Sequence, residues 1–334
     1  MIRRLSAAAA LLTLALIVAG GVVTNTDSGL ACPDWPTCYG SFVPPMVGNV
    51  AVEHTHRLVA TAVGLLTVAL AVLALRRAAV WMAASSALIL GASVWAARVK
   101  HLSGEMPSVP VVLVALGFAG CVWTISRARD SEGKLSAAAL TLVIFQGLLG
   151  GLTVLYKLPT LVLVMHLGAS MLFLSLLIAL ACGRELQGGA LLWVTTAAVY
   201  LQILLGAAVR HTGAGLVCTD VPLCRGAFWP TGVHPMVHLH MAHRAFAVVV
   251  LALLSWSSWR IARSSRGMVR ALALAAPALA LLQIALGLLT ILSLKDIVPL
   301  TAHLLVGALL LADCVSLLAL ARPEPQRELV GALA

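Results

Sequence analysis

Ten apolar stretches, each near the length that crosses a bilayer, leave this chain one class of fold. They fall at about 5–24, 51–75, 78–97, 109–126, 136–156, 160–182, 190–210, 237–259, 269–292 and 298–321. Each approaches the ~20 residues needed to span a hydrocarbon core. Turn and stop signals divide several of them: Pro107 and Pro110, Lys157 with Pro159, Gly188-Gly189, Pro235, and Asp296 with Pro299. A composition 61% hydrophobic and 10% charged over 334 residues excludes a soluble domain. The expectation is an all-α polytopic membrane protein. The net charge of +10 carries no hint of nucleic acid, because of where the cations lie. Arg3, Arg4, Arg76, Arg77, Arg127, Arg129, Lys134, Arg184, Arg260, Arg263, Arg266, Arg270, Arg322 and Arg327 all fall on turns at one side of the ten-span layout. That is the positive-inside bias. It predicts a cell-membrane protein with both termini cytoplasmic, outward loops at roughly 25–50 and 211–236, and a cytoplasmic tail at 322–334. Met1–Val23 has the look of a signal peptide, but its counterpart Ala190–Val209 lies mid-chain, so Leu5–Thr24 is read as a retained helix.

The chain repeats itself. Thr26, Gly29, Leu30, Cys32, Asp34, Pro36, Cys38 and Gly40 recur as Thr212, Gly215, Leu216, Cys218, Asp220, Pro222, Cys224 and Gly226, a shift of 186. His56-Arg57 recurs as His243-Arg244, a shift of 187. Gln146, Gly150, Thr153 and His166 recur as Gln283, Gly287, Thr290 and His303, a shift of 137. The drop from 187 to 137 places 50 extra residues in the first half, enough for two crossings, and 78–128 supplies them. The predicted architecture is therefore two parallel four-helix-bundle repeats, with an added two-helix hairpin in the first. One repeat would occupy 1–183 and the other 184–321.

Each repeat then carries two histidines near its outward end, His56 with His166 and His243 with His303. Ionisable side chains at membrane depth are costly and mark function by default. Paired imidazoles on facing helices suit the two axial positions of a heme iron, whereas a structural zinc site would want four ligands together. A lone histidine on an apolar face is ordinarily a packed core residue; four related by a repeat are not. Arg57 and Arg244 directly follow their histidines and are placed to clamp heme propionates, or else to snorkel toward headgroups.

The repeats differ at one telling position. Glu53 precedes His56 by three residues, on the same helix face, where the second repeat has His240. A carboxylate there suits proton transfer or stabilisation of developing positive charge; the plain alternative is an acid favoured by a helix N-terminus. The contrast suggests that one site does chemistry and the other holds or relays electrons. Cys32, Cys38, Cys218 and Cys224 lie where thiols oxidise. Four cysteines allow three pairings, and the loop symmetry favours one bridge within each loop, structural or redox-active. Cys121, Cys182 and Cys314 read as inert, and Asp313, deep in the last span, is costly and unexplained. His54, His238 and His240 flank the ligand positions; His101, His211 and His234 read as loop residues.

Taken together, the duplicated Cys-x5-Cys loop, Glu-x-x-His-Arg, Gln-x-x-x-Gly-x-x-Thr and the later helix histidine resemble the heme A synthase family. The resemblance covers nearly all the chain except 78–128, and its usual eight helices make that hairpin a departure. It implies an oxidoreductase that converts a methyl group of heme O to a formyl group in two successive two-electron oxidations, for cytochrome oxidase assembly. His56 and His166 would grip the substrate heme, Glu53 would be the essential carboxylate, and His243 and His303 would hold heme B. Implied partners are a heme O synthase, cytochrome oxidase assembly factors and an electron acceptor such as quinone. With both axial positions filled, water attack on the activated carbon near Glu53 is favoured over oxygen rebound.

A bis-histidine cytochrome relaying electrons between quinone and an outer partner is the main alternative, and the Glu53/His240 contrast speaks against a pure relay. A transporter would want a charged midplane path and broken helices. A thiol oxidoreductase would rest on the cysteine pairs alone.

Overall fold

The computed structural model describes residues 1–183 and 185–321. Arg184 and the expected tail at 322–334, with Arg322 and Arg327, lie outside the described residues. Helices dominate because the bilayer offers backbone groups no partner but each other. In chain order they are α1 (Ile2–Asn25), α2 (Gly48–Leu75), α3 (Ala79–Ser103), α4 (Ser108–Arg127), α5 (Ser131–Leu155), α6 (Thr160–Cys182), α7 (Ala190–His211), α8 (Pro235–Ser264), α9 (Gly267–Leu292) and α10 (Ile297–Leu320). Among the described residues, continuous apolar helical stretches number nine, because Gly48–Ser103 runs on as 56 residues. At 1.5 Å per residue that stretch would be about 84 Å long, far beyond a bilayer core. It is two crossings: Arg76, at φ 52° and ψ −114°, reverses the chain between α2 and α3.

Two rings of four helices result. In the first, α1 packs on α2, α2 on α5, α5 on α6 and α6 on α1. In the second, α7 packs on α8, α8 on α9, α9 on α10 and α10 on α7. Contacts of α10 with α1 and α6, and of α6 with α7, join the rings. The interior of the first ring is built from Ala9, Val63, Leu70, Ala139, Phe173 and Leu177. A larger core straddles the junction, where Ile17, Met171 and Leu174 meet Val199, Leu254, Leu311 and Cys314. Helix α10 is the central post, with 61% of its most apolar window buried against 17% for α1 or α9. Close approach of α1 to α10 depends on Gly21, whose added Cβ would lie 2.7 Å from Leu304, the small-residue packing that membrane helices use.

Helices α3 and α4 stand outside both rings. They pack on each other and on α5, and α3 barely touches α2. Arg3 donates to the Gly183 carbonyl at 3.0 Å, tying the start of α1 to the end of α6. At the other end Arg210, in the last turn of α7, donates to Asn25 Oδ1 at 2.6 Å. The two cysteine loops therefore share one end of the molecule.

Candidate functional site

Each cysteine loop is closed by its own disulfide, Cys32 to Cys38 and Cys218 to Cys224. Beyond the bridge, Cys38 pairs with Ser41 and Cys224 with Ala227 through short antiparallel contacts. Gly40 and Gly226 turn the chain there at φ 73° and 76°, a region that favours glycine. Asp34 organises the first loop: its carboxylate accepts from Tyr39 N at 2.6 Å, from Gly40 N at 2.9 Å and from Thr37 Oγ1.

The arginines expected to meet propionates hold these loops. Arg57 Nη1 donates to the carbonyls of Asp34 and Thr37 at 3.0 and 2.8 Å, and Nη2 to that of Cys32 at 3.3 Å. Arg244 repeats the pattern on the matching residues, with Asp220 at 2.8 Å, Leu223 at 3.1 Å and Cys218 at 2.6 Å. Both arginines still border the cavity described below. Glu53 is buried, pairs with Arg57 Nη2 at 2.5 Å and accepts from Cys32 N at 2.8 Å. In the second ring His240 takes the same place, accepting from Arg244 Nε at 3.2 Å. A carboxylate and an imidazole thus occupy equivalent seats beside equivalent guanidinium groups. His54 also differs from its counterpart: its ring and the Cys32–Cys38 sulfurs lie within 4.8 Å of one another, whereas Met241 packs by the second bridge.

All four repeat-related histidines line one cavity of about 1190 Å³. His56 and His166 are near enough to interact electrostatically, as are His243 and His303. Each ring lies edge-on against a glycine of a neighbouring helix. An added Cβ would stand 3.1 Å from His56 Cε1 at Gly20, 3.0 Å from His243 at Gly206, 3.4 Å from His166 at Gly150 and 3.0 Å from His303 at Gly287. Gly150 and Gly287 belong to the motif read from the sequence. Gly20 and Gly206 escaped it, although they too are separated by 186 residues.

Hydrogen bonding separates the two pairs. In the second ring the Gln202 amide reaches His243 Nδ1 at 3.1 Å and the His243 carbonyl at 3.0 Å, and His303 Nδ1 meets the Gln283 carbonyl at 3.0 Å. These bonds use Nδ1 of each and leave Nε2 out of them. In the first ring Leu16 stands where Gln202 would be, so His56 Nδ1 is buried without a partner. His166 Nδ1 faces the Gln146 carbonyl without forming a hydrogen bond. Buried imidazoles with nitrogens to spare, set against glycines along one large cavity, fit axial ligation of heme iron. Orientation by second partners, which tightens a metal site, is built mainly into the second pair.

The cavity also holds cations that the sequence reading left unassigned. Arg210 and Lys295 both line it. Burial first, and then the neighbouring Arg210 charge, hold Lys295 below the ordinary lysine value. His211, read as a loop residue, sits in the last turn of α7 and lines the same space.

Burial alone would raise the Asp34 carboxyl, but the bonds from Thr37, Gly40 and Tyr39 outweigh it and hold the group below its usual 3.8. A folded value below the unfolded one adds stability above the unfolded value and loses it as pH falls through the folded value. Hydrogen-exchange protection of the Tyr39 and Gly40 amides should therefore survive into the ordinary carboxylate range and fall only below it. Asp34→Asn should remove that acid step.

The profile of the family described as cytochrome oxidase assembly protein matches residues 3–51 and 106–315. The stretch left out, 52–105, is about as long as the α3–α4 hairpin but displaced one helix earlier. Helices α2 and α4 run the same way, so either can align with a second helix; by packing, α2 closes the ring and bears His56. Curated relatives include the heme A synthase of Symbiobacterium thermophilum, 30% identical over 82% of this chain and 82% of its own. That of Alkalihalophilus pseudofirmus is 28% identical over 75% of this chain and 73% of its own. That of Shewanella oneidensis is 28% identical over 83% of each. A matched region spanning most of both rings, with relatives aligned over most of their lengths, shows that the chain belongs to the heme A synthase family of cytochrome oxidase assembly proteins.

Proposed function

We propose that this chain is an oxidoreductase that makes heme A by oxidising a methyl group of heme O to a formyl group. In this reading the first repeat, 1–183, is the substrate side, where His56 and His166 grip the iron of heme O. The second, 184–321, is the cofactor side, where His243 and His303 hold heme B. The observation that carries the reading is the unequal support of two otherwise matching histidine pairs. Gln202 and the Gln283 carbonyl hold the second pair firmly, as a resident group requires. His56 lacks such a partner, as suits a group that must arrive and leave.

Glu53 lines the substrate cavity, and its carboxylate would take protons as the methyl carbon is oxidised. Conversion of a methyl to a formyl group with oxygen from water releases four electrons and four protons. With both axial positions taken by histidine, water attack near Glu53 is the route the ligation favours. Heme B, when bound, supplies an iron able to accept those electrons one at a time, and an acceptor such as quinone would remove them. Arg57 and Arg244 present positive charge at the loop edge of the cavity, where propionates would rest. Their Nη donors serve the loops, so Lys295, whose ammonium makes no hydrogen bond among the described residues, would give the direct contact on the second side. By the positive-inside bias of the basic turns, the termini would lie in the cytoplasm and the cysteine loops outside. A heme O synthase would deliver substrate and cytochrome oxidase assembly factors would receive product.

Three measurements test this. Co-expression with a heme O source should yield heme A in extracted pigments. Glu53→Gln, which keeps an acceptor for Cys32 N–H, should cut that yield by about a hundredfold or more while bound heme B persists; heme O passing unchanged through the wild type would instead leave a b-type electron-relay cytochrome. Gly206→Leu should drive a side chain into His243 and strip heme B selectively, read as lost Soret absorbance from one site. Cultures given isotopically labelled water should place the label in the formyl group, and label drawn from dioxygen would overturn the water route.

A further inference from the structure

The cavity reaches equal depth on α1 and α7 and on α6 and α10, but runs further along α2 and α5 than along α8 and α9, and the difference lies in residues that belong to no repeated motif. On α2 the lining continues from His56 to Val68, twelve residues further, or about 18 Å along the helix. On α8 it stops at Val250, the counterpart of Val63. Two glycines open the extra space. Gly64 and Gly147 both line the cavity, and an added Cβ at either would meet nothing within 4 Å. The corresponding residues of the second ring, at shifts of 187 and 137, are Leu251 and Ile284. Leu251 packs against the central core, and Ile284 lines the cavity where Gly147 does in the first ring. The far wall of the first-ring extension comes from outside the ring: Ser86 and Leu90 of α3 line it. Leu65, Val68 and Leu90 keep substantial exposure there, at 66%, 44% and 48%. Since α3 barely touches α2, the extension is an apolar crevice open toward the lipid.

We infer that this crevice between α2, α5 and the α3–α4 hairpin holds the isoprenoid tail of heme O, and that it selects the tailed heme for the first ring. The inference rests on the assignment of heme O to that ring. Heme O differs from heme B chiefly by a long apolar tail, so a substrate site needs an apolar annex that a heme B site does not. The first ring has one along α2 and α5, where the second carries Leu251 and Ile284 in place of glycine. A tail lying along Gly64 and Gly147 would extend away from the loops, leaving the propionates at the loop edge with the cations. The hairpin thereby gains a role as the outer wall of the annex, since without Ser86 and Leu90 the tail would lie against lipid alone on that side. Apolar burial along such a wall favours the tailed over the tailless heme.

The test compares heme O and heme B as probes, titrated into full-length protein whose second ring is already loaded with heme B. Wild type should bind heme O at the first ring at least about tenfold more tightly than heme B. Gly64→Leu/Gly147→Ile, which copies the second ring into the first, should abolish that preference while the heme B already bound is retained. An unchanged heme O preference in the Leu/Ile variant would overturn the annex. Equal affinity of wild type for the two hemes would overturn it too, while leaving the four-histidine reading intact. Failure of wild type to take any heme at the first ring would sink both. Because the new side chains enter open space, the melting temperature and resident heme B of the variant should match wild type, and the wild-type preference is read without relying on any variant.

Discussion

The contact on which the rest depends is an imidazole lying against a glycine of the next helix. Four times, a histidine near the loop end of a ring packs its Cε1 edge where a side chain would otherwise stand. An added Cβ at Gly20, Gly206 or Gly287 would stand 3.0–3.1 Å from the ring and oblige it to give way, while at Gly150 it would lie at 3.4 Å, an ordinary contact. The contact fixes the depth of each histidine and keeps a ring nitrogen out of the packed interior. The disulfide loops above are held in turn by arginines one residue beyond His56 and His243, so the cap over each site is anchored to the helix that carries its ligand. Removing the glycine would displace the histidine; removing the arginine would free the cap.

Much of this is legible in the chain. Hydropathy locates all ten crossings, and the ends of α6 coincide with the expected 160–182. Among the helix starts the largest difference, at α5, has a clear cause: the helix starts at Ser131 because Asp130 caps it, accepting from Gly133 N at 2.7 Å. That polar first turn lies ahead of the apolar run, so a hydropathy reading passes over it. The repeat reveals the histidines, the cysteine loops and Glu53, because each recurs, or pointedly fails to recur, at a fixed shift.

What the sequence conceals is relational. Gly20 and Gly206 recur at the same shift as the cysteines, yet a glycine in an apolar helix carries no chemical signal until a ring is seen beside it. Gln202 against Leu16, and Gly64 against Leu251, are differences between the repeats, and a search for shared motifs discards differences. The arginines illustrate a further limit. Adjacency to a ligand histidine suggests propionates, but a guanidinium has five donors, and three-dimensional proximity decides that most serve the loop carbonyls. Asp313, buried in α10 with Oδ2 unpartnered, is as unexplained in space as it is in the sequence.

The two rings run in the same direction, and their histidine pairs sit at the same end of the molecule. An electron passing from one pair to the other would move sideways, parallel to the plane of the bilayer. Charge carried across a membrane feels its voltage at about 2.3 kcal/mol per 100 mV, but lateral movement between equal depths feels almost none of it. Redox exchange between the sites would then be indifferent to how strongly the cell is energised.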